Sequence, residues 1–128
     1  MFVKDVNNEL SFLVDSGSDV SIIAKRYYYK LLHKTVSHSN NPRLIAANNK
    51  PLRTFGNVQL QLDLGLARTY FFEFIIADSP YNIIGADFLS YFNLTIKLHS
   101  KELHDPYLNT TVKSISQISK FSNVSLFK

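Results

Sequence analysis

The stretch FLVDSGSDVSII, from Phe12 to Ile23, decides the fold of this chain. Its two ends are apolar, as in short buried strands, and its middle is a polar turn that contains Asp15 and Gly17. This order presents a carboxylate at the end of a buried strand, where the access of water can be controlled. The triplet Asp-Ser-Gly alone is weak evidence, because all three residue types are common in plain turns.

Around this stretch, the chain has the composition of one folded domain. It contains 128 residues, of which 45% are hydrophobic and 19% are charged, and it has no cysteine. The length suits a single modest core, and the lack of cysteine excludes disulfides, thiolate metal sites and a cysteine nucleophile. No apolar run is long enough to span a bilayer, and the first residues lack the order of a signal peptide. We therefore expect an intracellular protein without a membrane partner.

The basic character of the chain lies mostly in its C-terminal tail. Residues 106–128 contain three lysines and no acid, whereas residues 1–105 are nearly neutral, so the net charge of +4 does not indicate a nucleic-acid surface. The Tyr27–Tyr29 triplet and its basic neighbours could stack on bases, but an amphipathic helix that packs its rings on a sheet is favoured. The four histidines lack metal-ligand spacing, so we expect neither a metal nor another cofactor.

Alternation and turn residues predict an all-β chain with one short helix near its C-terminal end. The clearest period-2 pattern runs from Val58 to Leu64. Further strands are predicted at residues 2–6, 10–14, 20–23, 69–77, 81–84 and 94–98, with a hairpin formed by residues 44–47 and 51–55. One or two helical turns are predicted within residues 25–33, and the short helix is predicted over Ala86–Phe92.

The tail has a different pattern. From Pro106 onward the chain is rich in Ser, Thr and Asn, and its apolar residues recur every three positions. That spacing fits neither a helix nor a strand, and Ser is a weak helix former. We therefore expect residues 1–105 to form the domain and residues 106–128 to be a linker or a weakly ordered extension.

Three blocks of the chain together resemble a known family. FLVDSGSDVSII is similar to the active-site segment of retropepsin-type aspartic proteases, and YNIIGADFL, residues 81–89, resembles their second signature of two apolar residues, a glycine and a short helix. Residues 44–78 are similar to the flap and following strands of proteases from gypsy-like LTR retrotransposons. The match covers about residues 2–105, and it implies a retropepsin-like barrel of the peptidase A2 type, active as a homodimer. Such domains lie within a Gag-Pol or Pol polyprotein and cut it, which implies a location in the cytoplasm or a virus-like particle.

The mechanism of such a protease requires two carboxylates that share one proton. Two like charges about 3 Å apart cannot both ionise, so one pKa rises and the other falls. Asp15-Ser16-Gly17 is the chain's one D-[ST]-G triplet, so a catalytic pair demands two chains related by a two-fold axis. The resemblance assigns the Ser16 hydroxyl to a hydrogen bond with the partner's matching loop, and Gly17 lets the backbone pass the turn closely.

The resemblance also implies roles for other positions. Asp19 would bind substrate main-chain amides, although a turn or capping role is equally consistent with the sequence. Side-chain subsites would be formed by Leu13, Val20, Ile22, Tyr81 and Ile83, which as apolar residues could equally belong to the core. The flap, residues 46–55, would place Ala47, Asn48 and Asn49 over a polypeptide substrate.

Two positions bear on how the domain is braced. Gly85 would allow the second signature to pack closely against the catalytic loop. Position 86 is Ala where retroviral enzymes carry an arginine that braces the domain, so another residue must brace it here. Relatives also carry a few more residues upstream that join a terminal sheet of the dimer, so we expect Met1 to be a truncated start.

Two other functions compete with proteolysis. The chain could be a non-catalytic retropepsin-like dimerisation module, decayed or domesticated, although its intact D-S-G and I-I-G blocks argue against this. It could also be a small basic protein that binds nucleic acid through residues 106–128, although the three scattered lysines of that segment do not make a nucleic-acid patch.

Overall fold

The structure is a computed structural model that describes residues 1–31, 36–37, 44–45 and 48–115. Within them a 3₁₀ helix spans Lys25–Leu31 and an α-helix, α1, spans Ala86–Tyr91. The strands in these residues are β1 (Phe2–Asp5), β2 (Leu10–Val14), β3 (Ile22–Ala24), β4 (Val36–Ser37), β5 (Leu44–Ile45), β6 (Pro51–Leu52), β7 (Thr54–Asp63), β8 (Thr69–Ala77), β9 (Asn82–Ile84), β10 (Thr95–Lys97), β11 (Glu102–Asp105) and β12 (Thr110–Lys113).

Seven strands form one mixed sheet in the order β1-β2-β9-β3-β8-β7-β4. β2 runs parallel to β9, with Val14 opposite Ile84, and β3 runs parallel to β8. Because parallel neighbours end at the same edge of a sheet, the turn after Val14 and the turn after Ile84 leave the sheet side by side. This pairing brings Asp15 next to the segment that starts at Gly85.

The main core lies between the inward faces of these strands and α1. Along β7, buried Val58, Leu60 and Leu62 alternate with exposed Gln59 and Gln61, which is the period-2 pattern that predicted this strand.

Helix α1 docks on this core through one aromatic side chain. Phe88 is fully buried, and its ring centroid lies 4.8–6.0 Å from those of four other aromatic rings. These four rings belong to Tyr70, Phe72, Phe74 and Phe92. Such spacings are those of favourable aromatic pairs, so the cluster fixes the position of α1 on β8.

The prediction of an all-β fold with one short helix is confirmed. The hairpin predicted at residues 44–47 and 51–55, called the flap hairpin below, is also present in its described part, where Leu44 pairs with Leu52 and Ile45 with Pro51. The helical turns predicted within residues 25–33 are the 3₁₀ helix, and residues 32 and 33 lie outside the described residues.

Ordered sheet continues past residue 105. β10, β11 and β12 form a three-stranded sheet, and Ile115 donates its main-chain N–H to the Phe2 carbonyl at 2.8 Å. The expectation of a linker from Pro106 therefore differs from the structure up to Ile115, because β12 can pair along β11 despite its Thr-rich composition. Residues 116–128 lie outside the described residues, and the domain boundary stays a prediction.

A buried ion pair joins this small sheet to the large one. The Asp105 carboxylate, in β11, is fully buried and accepts from Arg68 Nε and from the Tyr70 hydroxyl, both at 2.5 Å. Burial alone would raise the pKa of Asp105, but the hydrogen bonds from Arg68, Tyr70 and the Tyr107 N–H outweigh it and hold that pKa below its ordinary value. The carboxylate is thus stabilised in its charged form.

Asp105→Asn is expected to lower the free energy of unfolding by about 3 kcal/mol at neutral pH, because it leaves Arg68 without its buried anion. Since the folded pKa of Asp105 is depressed, its stabilisation is complete above the unfolded pKa and is lost as the pH falls through the folded pKa. The difference between wild type and variant should therefore shrink at acid pH. Urea denaturation at fixed protein concentration, at neutral and acid pH, measures both quantities.

The matched control is Asp78→Asn, because Asp78 is exposed and its loss should change stability by less than about 0.5 kcal/mol. Equal destabilisation by the two variants, or a difference for Asp105→Asn that does not vary with pH, would contradict the role given to the ion pair.

Candidate active site

The turn that follows β2 holds a carboxylate in a fixed position. The Asp15 N–H donates to the Ile84 carbonyl at 2.9 Å, which anchors the start of the turn to β9. One Asp15 carboxylate oxygen accepts from the Gly17 N–H at 3.0 Å, and the Asp15 carbonyl accepts from the Ser18 N–H at 3.0 Å. The Asp15 side chain is half-buried, whereas Ser16 and Gly17 are exposed. The turn therefore presents one partly shielded acid at the protein surface.

The start of the chain lies beside this turn. The Val14 N–H donates to the Met1 carbonyl at 2.8 Å. Burial lowers the pKa of the Met1 amino group, while the nearby Asp15 carboxylate acts in the opposite direction. The surroundings of Asp15 thus include the beginning of β1 as well as β9.

The second signature packs against this turn with no space between the two backbones. A Cβ atom on Gly85 would lie 2.4 Å from the Val20 carbonyl oxygen and 2.7 Å from the Ser18 carbonyl oxygen. The Ala86 N–H donates to that Ser18 carbonyl at 2.7 Å. Glycine is needed at position 85 for lack of space, since its φ of −97° is open to any residue.

A polar pair that the sequence analysis did not single out lies in the same place. Ser21 is buried, and its hydroxyl donates to the Asp87 carboxylate at 2.6 Å and accepts from the Gly85 N–H at 2.9 Å. Asp87 is the acid in the first turn of α1. The available signal was a serine between apolar residues of a buried segment, Val20 and Ile22, because such a serine needs partners.

Several of the proposed subsite residues lie together in a second, smaller apolar cluster. Its buried members are Ile22, Ile75, Ala77 and Ile83, and the half-buried Val20, Tyr81, Leu44 and Leu52 pack against them. Leu44 and Leu52 belong to the flap hairpin, whereas the buried members belong to β3, β8 and β9. The cluster therefore joins the flap hairpin to these strands near the Asp15 turn. Leu13 is half-buried and lies opposite Ile83 in the β2–β9 pair, and Asp19 is exposed.

The tip of the flap hairpin is a turn stabilised by asparagine. The Asn48 side-chain oxygen accepts from the Lys50 N–H at 3.0 Å, and Asn49 has a φ of 66°. Asparagine is one of the few residues that tolerates this left-handed conformation, which explains how the tip turns without glycine. Asn48 and Asn49 are exposed, and the predicted contact residue Ala47 lies outside the described residues.

A groove of about 520 Å³ opens beside the turn. Its lining runs from Ser16 through Ala86 and Leu89 to Ile96 and Leu98, and Leu98 is 83% exposed. β10 forms one edge of its three-stranded sheet. A surface that includes both apolar side chains and the polar Ser90, Asn93 and Thr95 thus extends from the Asp15 turn to β10.

In the part of the chain that the structure describes, no three acidic or histidine side chains are grouped so that they could hold a metal ion. The same residues include no helix long and apolar enough to cross a membrane. The groups at the Asp15 turn that could take part in a reaction are a carboxylate, a hydroxyl and main-chain amides.

No protein-family profile and no curated protein matches this chain. Solved structures do match. The retroviral protease-like domain of Ddi1 from Leishmania major has a TM-score of 0.69 and 23% identity, over 93% of this chain and 96% of that domain. The EIAV protease, solved with the inhibitor HBY-793, has a TM-score of 0.55 and 22% identity, over 73% of this chain and 86% of that protease. The fold of this chain is therefore retropepsin-like.

Gly85→Ala is expected to lower the free energy of unfolding by about 3 kcal/mol, because the added methyl group would overlap main-chain atoms that cannot move aside cheaply. The control is Gly65→Ala. Its Cβ would meet Val112 only at 3.4 Å, so the cost is that of its φ of +80°, about 1 kcal/mol. Chemical denaturation of both variants measures the difference, and an equal loss in the two would contradict the proposed close packing at Gly85.

Proposed function

We propose that this chain is an aspartic endopeptidase of retropepsin type that acts as a homodimer. The observation that carries the proposal is the Asp15-Ser16-Gly17 turn, anchored to Ile84 and packed on Gly85 in a retropepsin-like fold. In this proposal the fixed Asp15 carboxylate is half of a two-acid site. The geometry is compatible with a second copy that supplies the other half.

In the proposed mechanism, the Asp15 residues of the two subunits share one proton. The ionised carboxylate takes a proton from a water held between them, and that water attacks the scissile carbonyl. The protonated carboxyl donates a hydrogen bond to the oxyanion that develops on the carbonyl oxygen. The carboxyl that took the proton from the water gives it to the amide nitrogen, and the C–N bond breaks as the carbonyl re-forms. That carboxyl is ionised again, and the other one has kept its proton.

The groove between Ser16 and Leu98 is the surface that a second copy would cover. A two-fold axis that brings two Asp15 carboxylates together must pass close to the turn, so the surface next to Ser16 has to face the partner. Leu98 is the most exposed large apolar side chain among the described residues, and it lines this groove. Its burial against the partner would contribute about 2 kcal/mol per subunit.

The substrate in this proposal is an extended polypeptide. It would lie as an added strand between the flap hairpin and the cluster that contains Val20, Ile22, Tyr81 and Ile83. Asp19, exposed after the catalytic turn, would accept hydrogen bonds from its main chain. Processing of a Gag-Pol-like retrotransposon polyprotein, in the cytoplasm or a virus-like particle, is the natural task of such a domain.

Asp15→Asn is expected to reduce peptide cleavage at mildly acid pH about a thousandfold, because an amide can neither activate the water nor share its proton. The control is Asp63→Asn. Asp63 is an exposed acid at the end of β7, and its variant should keep full activity. The assay measures initial rates on a pool of unstructured peptides, and full activity of Asp15→Asn would refute the proposed mechanism.

Leu98→Asp is expected to weaken the dimer at least about tenfold, because a charge would be placed in an apolar contact that forms on both sides of the axis. Val6→Asp is the control, since Val6 is 59% exposed at the opposite end of the β1–β2 hairpin from Asp15. Sedimentation of the wild type and both variants, with cleavage measured in parallel, tests the interface.

Sedimentation and the cleavage assay together separate the two leading hypotheses. A wild-type monomer at concentrations of about tens of micromolar would count against the homodimer, while a wild-type dimer without cleavage would favour the non-catalytic module.

A further inference from the structure

Ser21, which directly precedes β3, lies at the centre of a partly buried hydrogen-bond network that connects β3 with α1. Its side chain is 1% exposed. Its hydroxyl donates to one Asp87 carboxylate oxygen at 2.6 Å and accepts from the Gly85 N–H at 2.9 Å. The Ser21 N–H donates to the other Asp87 carboxylate oxygen at 3.2 Å. Both carboxylate oxygens therefore accept hydrogen bonds from the same serine.

Asp87 is in turn fixed to the helix. The carboxylate oxygen that accepts from the Ser21 hydroxyl also accepts from the Phe88 N–H at 2.7 Å, one of the amides that lack a partner inside α1. Phe88 is fully buried in the aromatic cluster of the main core. The Asp87 carboxylate therefore holds Ser21 in a fixed position relative to α1.

These bonds hold one end of the loop of residues 15–21, which carries Asp15. At its start, the Asp15 N–H donates to the Ile84 carbonyl at 2.9 Å, and in its middle the Ser18 carbonyl accepts from the Ala86 N–H at 2.7 Å. At its end, Ser21 is held by Asp87 and Gly85. The loop is therefore attached at three points to the single segment 84–87.

We propose that Ser21 and Asp87 are positioning residues for the Asp15 carboxylate, a statement that rests on the proposed proteolytic function. They act through the main chain of the loop between them and Asp15. Through these bonds they brace the loop against α1.

The network needs the specific chemical groups that are present. A hydroxyl both donates and accepts, which is what a position between a carboxylate and an N–H requires. Alanine at position 21 would leave the Gly85 N–H without its partner inside the protein. It would also remove one of the two hydrogen bonds that the Asp87 oxygen accepts from the Ser21 hydroxyl and the Phe88 N–H. The loop would then shift, and small misplacements of a catalytic group lower the rate of the chemical step much more than substrate binding.

The experiment compares Ser21→Ala, Ser21→Thr, Asp87→Ala and the double variant Ser21→Ala with Asp87→Ala, at protein concentrations where each is dimeric. Ser21→Ala and Asp87→Ala should each lower kcat about 10- to 100-fold, while KM changes less than about twofold. The double variant should be no slower than the slower single variant, because both remove one network. Ser21→Thr keeps the hydroxyl and should retain kcat within about threefold.

The matched control is Asp5→Asn. Asp5 is a fully buried acid that, like Asp87, accepts main-chain N–H bonds, here from Asn7, Asn8 and Asp63. It lies at the opposite end of the β1–β2 hairpin from Asp15. The Asp5→Asn variant should be less stable than wild type and should keep its kcat per folded dimer. A kcat unchanged in Ser21→Ala, or lowered as much in Asp5→Asn, would overturn the positioning role while leaving the protease itself intact.

A wild type that cleaves no peptide would refute the proposed function. A second measurement still tests in that case whether Ser21 holds the loop. Amide hydrogen exchange at Asp15 and Ala86 should be at least about tenfold faster in Ser21→Ala than in wild type, and unchanged in Ser21→Thr. Unchanged exchange at both amides in Ser21→Ala would overturn the claim that Ser21 holds the loop.

Discussion

The contact between the Gly85 main chain and the loop after β2 is the constraint on which the site depends. A methyl group on Gly85 would lie 2.4 Å from the Val20 carbonyl oxygen, so two stretches of backbone are in direct contact there. Such proximity is possible because β2 and β9 are parallel neighbours that end at one edge. The position of Asp15 is therefore set by the pairing of strands far apart in sequence.

Around this contact the molecule separates its apolar residues into two clusters with different tasks. The larger one contains the fully buried Phe12, Phe74 and Phe88 and holds α1 against the sheet. The smaller one lies between the flap hairpin and strands β3, β8 and β9, and half of its members are only partly buried. In the proposed protease, an extended substrate would lie at this partly open cluster and not at the buried main core.

The sequence predicted the local features well, because they follow from local patterns. Alternation located β7, the apolar and aromatic run located β8, and the glycine after Ile84 marked the start of α1. The Asp15 turn was found in the same way.

Features that depend on long-range pairing were missed. β12 pairs with β11 although its Thr-rich sequence resembles a linker, and it lies on a sheet tied to β8 through the Arg68–Asp105 ion pair. Ser21 and Asp87 are 66 positions apart, and neither residue suggests the other. Composition cannot predict such pairs, because they exist only once the two parallel strand pairs have formed.

The proposed two-fold symmetry adds a further consequence to these contacts. In a homodimer each loop contact occurs twice around one site, so a single substitution displaces both catalytic carboxylates. Because the two acids must come within about 3 Å to share a proton, an error in one loop adds to the error in the other. A site built from two copies therefore demands a stiffer loop than a site contained in one chain. The three attachments of the Asp15 loop to segment 84–87, together with the absence of space at Gly85, supply that stiffness within each subunit before the partner binds.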